Sequence, residues 1–167
     1  KPDKPIANRC GNCTRCIDCC PTNAITAPNK MDPRRCISYF TIEHKGPIPE
    51  KFRKSIGDRV FGCDDCLDVC PWNRFAEASK EAKFAARDFI GMSLIQLLQL
   101  NENDFRTLFR KSPVKRLGRE RFIRNVCVAI GNTGTHSDIP HLKKALTEES
   151  LMIREHAQWA INTIKSR

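Results

Sequence analysis

The 167-residue chain contains no stretch of about 18 uncharged apolar residues, so no segment of it suits a membrane-spanning helix. Nothing near its start resembles a secretion signal either. That absence argues against reading its ten cysteines as a disulfide framework, which belongs to oxidising compartments. Histidine is sparse: His44, His136, His141 and His156 are scattered, and the last three are expected to cap or pack rather than bind metal. Cysteine nearly vanishes in the second half, where only Cys127 lies beyond residue 80. Acidic residues nearly vanish from Arg106 to Arg124, where Glu120 stands alone against eight basic side chains.

What is present is concentrated in the first half. Eight cysteines fall into two runs, Cys10-x2-Cys13-x2-Cys16-x3-Cys20-Pro21 and Cys36 followed by Cys63-x2-Cys66-x3-Cys70-Pro71. Two-residue spacings wrap a tight turn that aims successive thiolates at one cubane cluster. The cysteine before the proline points away and ligates the other cluster in two-cluster chains. Applied here, Cys10, Cys13, Cys16 and Cys70 hold one [4Fe-4S] cluster, and Cys20, Cys36, Cys63 and Cys66 hold the second. Structural zinc, using paired Cys-x2-Cys units, would leave the third cysteine and the x3-Cys-Pro unexplained. Cys19 is expected to be a small packed residue, since only Cys20 precedes the proline. Cys127 sits in an apolar helical run, Val126 to Ile130, and is expected to behave as a small hydrophobe.

The expected fold class is α+β. Residues 1–80 hold nine of the ten cysteines and few long apolar periods, and read as a bacterial ferredoxin-like two-cluster domain. Residues 81–167 show helical periodicity throughout and read as an all-α, HEAT-like helical repeat domain, with the boundary near Ser79–Phe89. The spacing predicts a helix over Phe84–Leu100, a stop and new cap at Asn101–Asp104, and a helix through Phe122–Ile130 that stops at Gly131-Asn132. A further helix starts at Asp138-Ile139-Pro140, with aspartate as cap and proline in the first turn. The phrase from Asn125 to Thr133 is echoed 31 residues later by His156 to Thr163, the pattern of a helix-pair repeat. Between Arg106 and Arg124 the local charge is +7 over nineteen residues, within a chain of net charge +10. Such a run attracts a polyanion by counterion release, and Lys115, Arg116, Arg119, Arg121 and Arg124 are the candidate nucleic-acid contacts.

The stretches Cys36-Ile37-Ser38-Tyr39-Phe40-Thr41-Ile42-Glu43, Gly46-Pro47-Ile48-Pro49 and Gly62-Cys63-Asp64-Asp65-Cys66-Leu67-Asp68-Val69-Cys70-Pro71-Trp72-Asn73 resemble the epoxyqueuosine reductase family. The resemblance implies an iron–sulfur and cobalamin-dependent oxidoreductase of queuosine biosynthesis, which reduces epoxyqueuosine to queuosine in the wobble position of tRNA. It implies that Ser38 and Asp64 touch cobalamin from the cluster side. In that family the main cobalamin domain and the catalytic acid precede the first cluster motif, whereas nine residues, beginning with Lys1, precede Cys10 here. The expectation is therefore a C-terminal portion with an electron relay, a tRNA-docking surface and no catalytic residue of its own. The partners implied are tRNA and a low-potential donor such as a flavodoxin or ferredoxin, for a cytoplasmic, monomeric protein. The competing reading, a stand-alone two-cluster ferredoxin-type electron-transfer protein, leaves the arginine-rich run and 87 further residues without a use.

Overall fold

In the computed structural model the described residues are 2–5, 7–77, 79–80 and 89–167. The first half is built from short pieces, because prolines and cysteine turns repeatedly interrupt the backbone ladder. α1 (Arg15–Asp18) leads into a hairpin of β1 (Ile25–Ala27) and β2 (Lys30–Met31), antiparallel with Ile25 opposite Met31 and Ala27 opposite Lys30. A 3-10 turn at Pro33–Arg35, capped by the Asp32 side chain, precedes a π-helical turn at Tyr39–Glu43. α2 (Glu50–Ile56), α3 (Asp65–Asp68) and a 3-10 turn at Pro71–Phe75 complete this half. The small sheet among helices gives the α+β class expected from the sequence.

The second half follows its caps. Ser93 accepts from the Gln96 N–H while Gln96 reaches back to the Ser93 N–H, a reciprocal box that starts α4 (Leu94–Leu98). Asn101 caps α5 (Glu102–Leu108) through the Asp104 N–H. α6 (Val114–Leu117) and α7 (Arg119–Thr133) are separated by Gly118, whose φ of 81° lies in the left-handed region. α8 (Ile139–Ala145) carries proline in its first turn, and α9 (Leu151–Lys165) is capped by Ser150. The two halves of the sequence echo lie on α7 and α9, which pack along each other with α8 against α9.

Two sequence expectations are corrected. The helix predicted over Phe84–Leu100 falls partly on 81–88, outside the described residues, and its described part is helical only over α4. The predicted stop at Gly131-Asn132 is not a stop, because α7 continues through Thr133. Gly131 serves a close approach instead: a Cβ there would run into the Trp159 ring on α9. Asn132 donates to the Arg53 and Gly57 carbonyls, both at 2.8 Å, which lets the helix C-terminal end cap the end of α2.

Two apolar cores result. The larger joins α4 through α9, with the Phe105, Phe109 and Phe122 rings 4.9–5.4 Å apart at its centre. The smaller gathers Ile37, Phe40, Ile48 and Ile56 from the first half with Val128 of α7. Cys127, beside Val128, is fully buried in the larger core, and burial pushes its thiol up to about 12, so it stays a neutral apolar filler.

Candidate metal centre and its arginine cradle

The two cysteine motifs adopt the same local trace. Thr14 O accepts from the Ile17 and Asp18 N–H groups, and Asp64 O accepts from Leu67 and Asp68 in the same way. Arg15 O then holds the Cys19 N–H as Asp65 O holds Val69, and Cys20 O holds Asn23 as Cys70 O holds Asn73. Each motif is thus one helical turn followed by a proline-led reversal, and α1 packs against α3. The repeat of bonds comes from the repeat of spacing.

Facing each other, the motifs enclose a cavity of about 290 Å³ bordered by Cys10, Cys13 and Cys16 from the first run and Cys70 from the second. Among the described residues no three His, Cys, Asp or Glu side chains converge at the spacing of one ion's ligands. The four thiols stand around a void rather than a point, an arrangement that fits a polynuclear cluster held at its corners. The remaining four, Cys20, Cys36, Cys63 and Cys66, are half-buried. Burial pushes the Cys66 thiol up, and Cys36, Cys20 and, from the first set, Cys16 lie close enough to add to that rise. Cys20 is raised by burial but held below an ordinary thiol overall by backbone N–H groups, among them Ala24 at 3.2 Å from its sulfur. Hydrogen bonds of this kind stabilise a thiolate and tune a cluster bound to it.

Ser38 and Asp64 meet around Cys63: the Ser38 hydroxyl donates to the Cys63 carbonyl at 3.2 Å, and Asp64 is exposed at the N-terminal end of α3. Next to them stands a pair the sequence reading missed. Arg59 donates to both Asp65 carboxylate oxygens at 2.7–2.8 Å, and this hydrogen-bonded pairing draws the Asp65 carboxyl below its ordinary range despite burial. Asp65 is visible in the motif, but nothing in the spacing marks Arg59 as its partner. Cys19 ties the motifs together, its Sγ donating to the Cys16 carbonyl at 3.6 Å and to the Asp65 carbonyl at 3.5 Å.

The basic run divides into two populations. Arg124 is fully buried: it donates to the carbonyls of Phe40 (2.6 Å), His44 (2.8 Å) and Gly46 (2.5 Å) and to the Asn125 side chain. Burial pulls its guanidinium down to about 10, which leaves it charged at neutral pH. Asn125 in turn donates to the Thr41 and Val60 carbonyls, and Arg121 to those of Leu117, Ile42, Glu43 and Arg116. Side chains of α7 therefore serve successive carbonyls from Phe40 to His44, the π turn that comes after Cys36 and Ser38. Arg119 binds the Leu100 carbonyl and Glu148, joining the start of α7 to the chain just after α4 and α8. The expectation that Arg124 meets nucleic acid is corrected: its donors are spent on a buried cradle. Arg119 and Arg121 are largely engaged internally as well. Lys115 and Arg116 are exposed, and Arg116 pairs with Glu43 at 2.8 Å.

Residues 9–73 match the model of a 4Fe-4S double cluster binding domain. The chain is 47% identical over 161 residues to the epoxyqueuosine reductase of Xanthomonas campestris pv. campestris, a match over 95% of this chain and 45% of that protein. It is also 47% identical to the Aliivibrio fischeri epoxyqueuosine reductase, over 95% of this chain and 43% of that protein. Among solved structures it is similar to an epoxyqueuosine reductase with a tRNA-Tyr epoxyqueuosine-modified tRNA stem loop, at TM-score 0.89 and 34% identity over 98% of this chain and 44% of that one. The Streptococcus thermophilus epoxyqueuosine reductase matches at TM-score 0.86 and 28% identity, over 100% of this chain and 44% of that one. The chain thus spans a little under half the length of the relatives it matches. With a double-cluster domain in its first half, the chain is similar over nearly its whole length to the part of the epoxyqueuosine reductases that it matches.

Proposed function

We propose that this chain is the electron-relay and tRNA-binding part of an epoxyqueuosine reductase, working on epoxyqueuosine in the wobble position of tRNA. The observation that carries the reading is the cavity bordered by three thiols of one motif and the proline-preceding thiol of the other, in a chain with these relatives. Cys10, Cys13, Cys16 and Cys70 bind one [4Fe-4S] cluster, and Cys20, Cys36, Cys63 and Cys66 the second. When bound, the clusters pass single electrons and cobalamin supplies the carbon-directed reduction.

This chain's own residues do the positioning. Backbone N–H groups at Thr22, Ala24 and Ile25 hold the Cys20 thiolate. Ser38 and Asp64, grouped at Cys63, present the cluster region to cobalamin. The cradle of Arg124, Asn125 and Arg121 fixes the turn that carries Ser38. Lys115 and Arg116, exposed at the start of the segment that leads into α7, meet phosphate of the tRNA stem loop. Among the described residues no helix is long and apolar enough to cross a membrane.

The test is single turnover of the cluster-loaded, cobalamin-loaded full-length enzyme on an epoxyqueuosine stem loop. Conversion to queuosine is expected, and its absence in a protein with full iron and cobalt content overturns the reading. Substituting both Lys115→Ala and Arg116→Ala is expected to weaken stem-loop binding and to lower the slope of log affinity against log salt by about 1–2. Cys70→Ala is expected to erase the spectrum of the cluster bound by Cys10, Cys13 and Cys16. Loss of the cluster bound by Cys63 and Cys66 instead would refute the crossed ligation.

A further inference from the structure

The two sets of cysteines differ in what surrounds them. Cys63, from the second set, packs against the smaller apolar core, whereas Cys10 and Cys13 of the first set are exposed. Arg9, Arg15 and Arg74 line the first set's cavity with no carboxylate among the lining side chains. Two large aromatics stand at the same mouth, Trp72 at 49% and Phe75 at 62% exposure, with their rings 5.8 Å apart. The Arg74 guanidinium lies 4.6 Å from the centre of the Phe75 ring. A tryptophan and a phenylalanine held open to solvent beside arginine form the composition on which protein partners anchor.

We propose that this mouth is the docking surface for an acidic one-electron carrier protein, which reduces the chain at the Cys10, Cys13, Cys16 and Cys70 site. The inference rests on the functional reading of the chain as an electron relay and adds where electrons enter. Charge complementarity selects the partner: Arg9, Arg15 and Arg74 border the thiols themselves, while Asp18 and Asp68 line only the adjoining cleft that Arg15 and Arg74 share, so the mouth steers a negatively charged surface and holds it in register. The floor of the patch selects a redox protein over RNA, because the thiols that line it are the ligands of an electron carrier and serve no purpose to a phosphate backbone. One electron leaves the carrier, which is oxidised by one unit, and reduces the oxidised cluster by one unit. No covalent bond forms or breaks and no proton is required. The exposed Lys115 and Arg116 remain for the RNA, so the two basic surfaces have different partners.

The experiment monitors cluster bleaching by stopped flow in the cluster-loaded full-length enzyme, with reduced flavodoxin as the acidic carrier and reduced methyl viologen as the small cationic control. Combining Arg15→Glu with Arg74→Glu is expected to lower the second-order rate with flavodoxin at least about tenfold at low ionic strength, a deficit that shrinks as salt rises. Trp72→Ala is expected to lower the same rate without changing its salt dependence. Iron content, stem-loop affinity and the viologen rate are expected to stay at the unsubstituted level. An unchanged flavodoxin rate overturns the proposal, and so does a loss of stem-loop affinity in place of the flavodoxin rate, which would make the patch an RNA surface. If charge reversal lowers iron content, the neutral pair Arg15→Gln and Arg74→Gln carries the same comparison, and an unchanged flavodoxin rate in a loaded protein is then decisive. Failure of the underlying reading looks different, since viologen-reduced enzyme would then leave the stem loop unconverted.

Discussion

The two halves of this chain solve the problem of burial in opposite ways. Of the twenty-six buried apolar residues among those described, only Ala24, Ile37, Phe40, Ile48 and Ile56 lie before residue 80. The rest lie between Leu98 and Ile164, and most of them close a core to which the first half adds only the partly buried Val60 and Phe61. Four of those five reach burial by leaning on Val128 of α7, and the segment between them is held by α7 arginine and asparagine side chains. A unit that buries so little apolar surface is marginal unless something else links it. The lesson is that the first half has two external supports, its cofactors on one side and the helical half on the other.

The largest effect should come from removing the first support. Anaerobic chelation of iron is expected to strip hydrogen-exchange protection from α1, the β1–β2 hairpin and α3 while α7 and α9 keep theirs. Equal loss in both halves would erase the contrast between them. Removing the second support is the next largest. Arg124→Ala leaves the Phe40, His44 and Gly46 carbonyls without their donor. With the Phe40 carbonyl buried and those of His44 and Gly46 half-buried, it is expected to cost about 1–3 kcal/mol in urea unfolding. A loss below about 1 kcal/mol would mean that the cradle adds little.

The smallest effect concerns pH. His156 of α9 accepts the Ile48 N–H at 3.1 Å and donates to the Met152 carbonyl, a second link between the halves. Burial, with Arg53 nearby, lowers its imidazole to about 4. Below about pH 6.5 the unfolded chain binds a proton here that the folded chain refuses until about pH 4. Stability is therefore complete above that window and falls as pH drops through it, with a slope of up to about 1.4 kcal/mol per pH unit. His156→Gln is expected to flatten this part of the slope, measured by anaerobic urea unfolding between about pH 5 and 7, and an unaltered slope would assign it to carboxylates.

Legibility in the sequence tracked the distance over which an interaction acts. The cysteine motifs were readable because their geometry is local: a two-residue spacing makes the same turn at Cys16 and at Cys66 whatever lies beyond. The cap at Asn101 is local in the same sense, and those at Ser93 and Ser150, equally local, were not read from the sequence. The arginine run was half readable. Its charge is plain, but the partners of Arg124 lie 78–84 positions earlier in the chain, and no spacing predicts carbonyls that far away. Gly131 shows the same limit, since a helix stop and a site of close approach have one signature, and only Trp159 distinguishes them.

The π turn at Tyr39–Glu43 has a consequence for how relatives of this chain can vary. Its closing bond runs from the His44 N–H to the Tyr39 carbonyl at 2.9 Å, one residue further than an α turn allows. Deleting a single residue would tighten the turn to α geometry and rotate the downstream chain by about 100°. The carbonyls of Phe40, Thr41 and His44 would swing away from Arg124 and Asn125 together, and Ser38 would lose its fixed relation to Cys63. Relatives should tolerate changes of side chain here, such as at exposed Tyr39, far better than any change of length. Between Cys36 and Gly46 an insertion or deletion in an aligned relative would therefore mark a chain whose relay is wired differently.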